Sequence, residues 1–341
     1  MVQGKRESLA QGLDRVRVPE VLFALRKRFW SKHLVVINLH RVNVADAAAN
    51  VDEGTLDMTP DGFDSLLATL RRYFNPIGLN ELRDHLDGRP LPSHSVLLTF
   101  DDGYRDNLER ALPLLLRHQL KAVFFIATHY VEHRRLFWWD RLSYALKHAR
   151  QSTIELNYPH PLSLSLDSGV GEAERTLQQL IKTTRALDVN RLLDELVAAA
   201  QVQWDASMER CLADELILDW DGVRKLRAAG MEIGSHTRTH RVLQTVPESE
   251  WESELQGSRH DLEAKLDQEI YAIAYPVGRS IQARPELCSA VNRAGYRLGF
   301  TYQTGHQRLP VVDPFDVKRM SIDRDWNLSR IRAALAFPWL G

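Results

Sequence analysis

Cysteine is nearly absent from this chain of 341 residues, which has only Cys211 and Cys288. Neither stands in a CxxC or other ligand spacing, which excludes a thiolate zinc site and a disulfide framework. Both are expected to be buried, reduced apolar side chains. An excess of one charge is also lacking: 44 Lys and Arg face 45 Asp and Glu, a net charge of -1. Such balance gives no reason to expect nucleic acid as a partner. No run approaches the roughly 20 apolar residues of a membrane span. Residues 1–18 are polar and charged, without the apolar core of a secretory signal, so a cytoplasmic enzyme is expected. In residues 21–32, Leu22, Leu25, Phe29 and Trp30 mix with Arg26, Lys27, Arg28 and Lys32. A basic amphipathic helix of this kind packs on its domain or makes peripheral contact with an anionic membrane.

What is present is a series of short apolar runs that read as buried strands: 34–39 (LVVINL), 95–100 (SVLLTF), 122–127 (AVFFIA), 231–234 and 270–275 (IYAIAY), with a weaker one at 317–322. Helical spacing fills the intervals. One helix opens at Thr59 and Pro60, others cover 107–120, 219–229, 249–266 and 285–294, and Gly230 and Gly295 stop two of them. Strand-helix alternation implies parallel strands with crossover helices, in an open sheet or a closed (β/α) barrel. Residues 137–218 break the rhythm. They open on Phe137-Trp138-Trp139-Asp140 and continue as Leu- and Ala-rich helical sequence, with a two-proline loop at 157–168 and no clear buried strand. We read 1–32 as an N-terminal helical extension and 33–341 as one domain of the α/β class, interrupted by a helical insertion at 137–218.

Polar residues collect where strands end. His40 follows the first run, Asp101 and Asp102 the second, His236 the fourth, and Tyr275-Pro276 the fifth. In a barrel those carboxyl ends form the face that carries an active site, which favours the barrel over the open sheet. Two adjacent aspartates after a strand point apart, so one can ligate a cation while its neighbour stays free. His236 and His240, at i and i+4 on one face of a helical turn, can reach the same ion. One carboxylate and two imidazoles suit Zn2+ and leave a position for water. Such a metal would acidify the water and polarise a substrate carbonyl, and the unligated aspartate could take the proton.

Thr99-Phe100-Asp101-Asp102-Gly103-Tyr104 and Ser235-His236-Thr237-Arg238-Thr239-His240 resemble the first two motifs of the polysaccharide deacetylase family, the NodB-homology domain of carbohydrate esterase family 4. The run from Trp220 into His236 resembles the family's approach to its histidine motif. The resemblance implies a deformed (β/α) barrel of about seven strands that hydrolyses the acetamido group of an N-acetylhexosamine. Carried over by residue, Asp101 is the general base, and Asp102, His236 and His240 hold one divalent metal. Zn2+ is the first candidate, with Co2+, Ni2+ or Mn2+ as alternatives. The expected partner is a carbohydrate containing N-acetylhexosamine, in a polysaccharide, an oligosaccharide or a lipid-linked glycan.

Two family features depart from the pattern. Ala274 stands where an arginine usually precedes the Pro-aromatic-Gly turn, here Tyr275-Pro276-Val277-Gly278, and Arg279 only follows it. A backbone N–H near Val277 can still serve the oxyanion. The usual C-terminal histidine motif is missing. Instead Asn38-Leu39-His40-Arg41-Val42 resembles the Tyr-His-Arg-Val segment of the branch that acts on bacterial exopolysaccharides, which implies His40 as the acid. Tyr104, Tyr275, Pro276, Val277 and Arg279 are expected at the substrate site. Trp138 and Trp139 either stack on sugar or form the core of the insertion. The competing readings are an O-acetyl esterase and an inactive glycan-binding homologue.

Overall fold

The architecture follows from strands whose inward faces change character along their length. The computed structural model describes residues 33–44, 46, 49–303, 305–322 and 324–337, with a few positions between 11 and 23. Six parallel strands are β1 (His33–Leu39), β2 (Ser95–Phe100), β3 (Val123–Ile126), β4 (Glu232–Ser235), β5 (Ala272–Ala274) and β6 (Leu298–Thr301). A seventh position is broken at Arg319 into β7 (Val317–Lys318) and β8 (Met320–Ser321). Pairing runs from β1 to β7 in chain order, and β8 returns to β1 with Ile37 opposite Met320, so the sheet nearly closes into a barrel. The short strands Asn75–Pro76 and Gln307–Arg308 attach beside the beginnings of β2 and β1.

Successive residues of a strand face opposite ways. Val35, Ile37 and Leu39 of β1 join the large core beneath the helices, whereas Leu34 and Val36 join a smaller one with Leu97, Val123, Phe125 and Phe300. This second core fills the barrel, and Leu79 and Leu82 of the helix Leu79–Leu86 pack into it. Further along the same inward rows come Asn38, Thr99 and Asp101, all buried. The barrel interior is therefore apolar where the strands begin and polar at their carboxyl ends. That polarity gradient is what places chemistry at one mouth.

Outside the sheet, Thr59 caps the helix Pro60–Tyr73, accepting from the Gly62 N–H at 3.2 Å. The insertion carries the helices α1 (Trp138–Lys147), α2 (Gly171–Thr183), Val189–Ala199 and Ala206–Leu216. It also holds an antiparallel hairpin, Thr153–Leu156 with Leu162–Ser165, where no strand was expected. Only alternate hairpin residues, Ile154, Leu156 and Leu164, are buried, so no continuous apolar run announces it. β6 was likewise not expected: it has four residues, one of them Gly299, and follows directly on a helix stop.

Other expectations need correcting. Cys211 is exposed and Cys288 only half-buried. The segment 107–120 is a π-turn, Asn107–Ala111, followed by the short helix Leu112–Arg117. Of the basic helix expected at 21–32, only Val21 and Phe23 lie within the described residues, and Phe23 is buried against Tyr73 and Phe74. Among the described residues no helix is long and apolar enough to cross a membrane.

Candidate active site

The two aspartates that end β2 diverge. Asp102 has φ 76° and Gly103 φ 100°, and this left-handed pair turns the chain sharply at the barrel mouth. Asp102 Oδ1 lies 3.3 Å from His240 Nε2 and 3.5 Å from His236 Nε2. The ligating atoms of these three buried residues all lie within 4.8 Å of one another. The histidines are not on a helical turn as expected. Thr237 (φ 62°) and His240 (φ 53°) adopt left-handed backbone in a loop, which folds His240 back until the ring centroids are 4.6 Å apart. His236 Nδ1 bonds the Ala274 carbonyl at 2.8 Å, which fixes the tautomer and leaves the Nε2 lone pair able to ligate. The Trp139 ring packs edge-on against His240 at 4.4 Å.

This corner fits a divalent cation. Asp102 Oδ1 is buried without a hydrogen-bond partner, a costly condition that a bound cation removes. Burial pushes the Asp102 carboxyl up to about 8, against the pull of His40. Burial pushes His236 down to about 4 and His240 well below the usual histidine value, so both imidazoles are neutral and able to ligate at neutral pH. A carboxylate with two neutral imidazoles is a donor set for zinc and its borderline neighbours.

Asp101 belongs to a different network. Its two oxygens each accept from Arg319, from Nη1 and Nη2 at 2.8 Å, in a bidentate pair with Arg319 fully buried. Arg319 also donates to Asn38 Oδ1 and to Thr99 Oγ1 at 3.3 Å, and its guanidinium lies 4.8 Å from the centre of the Tyr302 ring. Burial alone would raise the Asp101 carboxyl. The Arg319 guanidinium, with His236 beside it, outweighs burial and holds Asp101 below the usual carboxylate range. Asp101 Oδ2 remains 3.7 Å from His236 Nε2, so this carboxylate stands beside the Asp102–His236–His240 corner. Arg319 thus brings a guanidinium to Asp101, where Ala274 brings none. Arg279, the sequence-based alternative, is exposed on the surface.

His40 is held on both ring nitrogens. Nδ1 lies 3.3 Å from Asp57 Oδ2, and Nε2 lies 2.8 Å from the Tyr302 hydroxyl. The His40 backbone N–H also donates to Asp57. Burial works against a charged ring, but Asp57 overcomes it, and with Asp102 and Asp101 raises His40 to about 9. Gly278 brings the neighbouring turn close: a Cβ there would meet Tyr302 Cβ at 2.3 Å, and the Gly278 carbonyl accepts from the Tyr302 N–H at 2.8 Å.

A cavity of about 350 Å³ gathers His40, Asp101, Asp102, His236 and His240 with Tyr302, Val277, Trp138 and Trp139. Of the five residues expected to touch substrate, only Val277 lines it. Tyr104 is fully buried instead, its hydroxyl donating to Asp140 at 2.8 Å and accepting from Trp139 Nε1 at 2.7 Å. Tyr275 is buried with its hydroxyl on the Phe315 carbonyl, and Pro276 is buried beneath the same turn. Trp138 and Trp139 both belong to the core and also form cavity wall. Asp57, Tyr302 and Arg319 are the functional candidates that sequence reasoning missed.

The family profile described as Polysaccharide deacetylase matches residues 88–299. A poly-beta-1,6-N-acetyl-D-glucosamine N-deacetylase of Escherichia coli (strain K12) is 36% identical over 91 residues, which are 26% of this chain and 13% of that protein. This chain therefore aligns with a small part of that relative's length. Among solved structures, IcaB from Ammonifex degensii is similar with TM-score 0.56 and 18% identity, over 89% of this chain and 97% of that one. The Streptococcus pyogenes deacetylase PplD in complex with acetate gives TM-score 0.55 and 19% identity, over 86% and 94%. At these identities the structures speak to fold, the deacetylase barrel.

Proposed function

Since the chain belongs to the polysaccharide deacetylase family, we propose that it is a metal-dependent de-N-acetylase acting on N-acetylhexosamine units of an exopolysaccharide-type glycan. The observation that carries this reading is the buried Asp102–His236–His240 corner standing beside an Asp101 that Arg319 holds ionised. Asp102, His236 and His240 would hold the metal, most simply Zn2+. Its contribution when bound is Lewis acidity, which polarises the acetamido carbonyl and makes water easier to deprotonate. Asp101 takes the proton from the attacking water. Arg319 keeps that carboxylate charged and oriented, acting through Asp101 and not on substrate. The turn at Val277 offers backbone N–H to the developing oxyanion. His40, protonated at neutral pH, gives the leaving amine nitrogen its proton from Nε2, the position now bonded to Tyr302. Acetate and a free amine result.

The test is acetate release from β-1,6-linked N-acetylglucosamine oligomers beside an O-acetylated, N-unsubstituted sugar. Preference for the amide supports the reading, and release from the ester alone would make the protein an O-acetyl esterase.

The Asp57–His40 contact sets a pH dependence. Asp57 raises the His40 pKa, so the protonated acid persists through neutral pH and is lost as pH rises towards about 9. Asp57→Asn removes the charge that raises it. The alkaline limb of kcat/KM then moves to lower pH, by about one unit or more. An unmoved limb in a pH–rate profile would detach that limb from His40.

A further inference from the structure

The cavity has a second polar group that the reaction as described does not use. Asp52 comes from the loop after β1, and Gln178 and Lys182 stand one turn apart on α2 of the insertion; all three line the cavity. Gln178 sits between the other two. Its Nε2 donates to Asp52 Oδ1 at 3.3 Å, and its Oε1 accepts from Lys182 Nζ at 3.0 Å. The amide therefore separates a buried carboxylate from a half-buried ammonium, and no ion pair joins them directly. Burial works against both charges, raising the Asp52 carboxyl and lowering the Lys182 ammonium. A trio that served only to tie the insertion to the barrel would have no need to line the cavity, as all three residues do. The bond from the Asp52 N–H to Asp140 Oδ1, at 3.1 Å, already makes that tie.

The arrangement keeps donors and an acceptor side by side. An ammonium has three N–H donors, and one of these goes to Gln178. A purely anionic ligand would meet Asp52, and a cationic one would meet Lys182. A sugar hydroxyl, which both donates and accepts, suits the whole set. The indole of Trp138, with Lys182 Nζ 5.9 Å from its ring centre, adds an apolar wall beside the polar one. Apolar surface with a few convergent polar groups is the composition of a small-ligand site, and about 350 Å³ lies at the small end of the usual range.

We propose that Asp52, Gln178 and Lys182, with Trp138 beside them, form a hydroxyl-reading subsite for the N-acetylhexosamine whose acetamido group reaches Asp101. The helical insertion then takes part in selecting the sugar, while the barrel supplies the chemistry. This rests on the deacetylase reading for the identity of the ligand, but its test does not require turnover.

The experiment is calorimetric binding of a β-1,6-linked N-acetylglucosamine pentamer to metal-loaded Asp101→Asn protein, alone and combined with Gln178→Ala or Lys182→Met. The methionine keeps the apolar stem of the lysine, so it guards against a loss that is only one of packing, and thermal unfolding is followed in parallel. Each second substitution is expected to weaken binding roughly tenfold or more, as when a site built to bond a hydroxyl loses its partner, with little change in Tm. Affinities within about twofold of the parent for both variants would overturn the subsite, as would a parent that binds no pentamer. A wild-type chain that binds the pentamer but releases no acetate would sink the deacetylase reading instead. The subsite would then still stand on the weakened variants.

Discussion

Asp101→Asn lowers kcat for acetate release by roughly 10²–10⁴-fold, the usual contribution of a positioned general base, and leaves the bound divalent metal in place. Asparagine matches aspartate in shape but cannot accept the proton from water. It is not one of the three residues that converge at the metal corner. The amide oxygen still accepts from one Arg319 N–H, but the amide nitrogen cannot accept from the other and the buried guanidinium loses its counter-charge, so some stability is lost along with the rate. Kinetics and metal content measured on the same sample check both halves. Full-rate acetate release would remove Asp101 from the role of base, and loss of metal would make it a ligand.

Arg319→Met has the second large effect, on stability and on activity together. Arg319 is fully buried and shares a bidentate bond with an equally buried Asp101. Removing one partner of such a pair leaves an uncompensated buried charge, at a cost of about 3–5 kcal/mol. The sign with pH follows from the Asp101 carboxyl. In the native chain its pKa is depressed, so the pair contributes stability above the unfolded carboxylate pKa, which is lost as pH falls through the lower folded value. Without the guanidinium, burial dominates and the folded pKa rises above the unfolded one. Asp101 then destabilises at neutral pH and is relieved on acidification. The acid limb of kcat/KM moves upward accordingly. Arg319→Lys restores the charge without the two-pronged geometry and falls between the two. Urea unfolding and pH–rate profiles check this. Lost stability with an unmoved acid limb would leave Arg319 a structural residue only.

The convergence of Asp101, Asp102, His236 and His240 was legible because each motif follows an apolar run that reads as a strand, and strand ends converge in a barrel. The same rule misses Tyr302, which directly follows β6, because β6 is too short and too glycine-marked to be recognised. Arg319 lies in the weak run 317–322, where the basic pair Lys318-Arg319 interrupts the apolar pattern and names no partner. Only the break between β7 and β8, pairing outward to β6 and β1, carries its guanidinium in towards Asn38, Thr99 and Asp101. Asp57 did leave a signal. A carboxylate between Leu56 and Met58, all three buried, requires a partner, though nothing in sequence names His40. Tyr104 misled in the opposite direction. It adjoins the aspartates in sequence, but its ring turns under Arg41 and towards Asp140 instead of entering the cavity.

The proposed deacetylase activity requires a metal at Asp102, His236 and His240. This requirement is tested most directly by acetate release from an N-acetylglucosamine oligomer before chelation, after chelation, and after Zn2+ is restored, with metal content followed throughout. Activity that disappears with about one equivalent of metal per chain and returns with it, in wild type but not in His236→Ala, is the expected result. Undiminished acetate release from metal-free protein would contradict it.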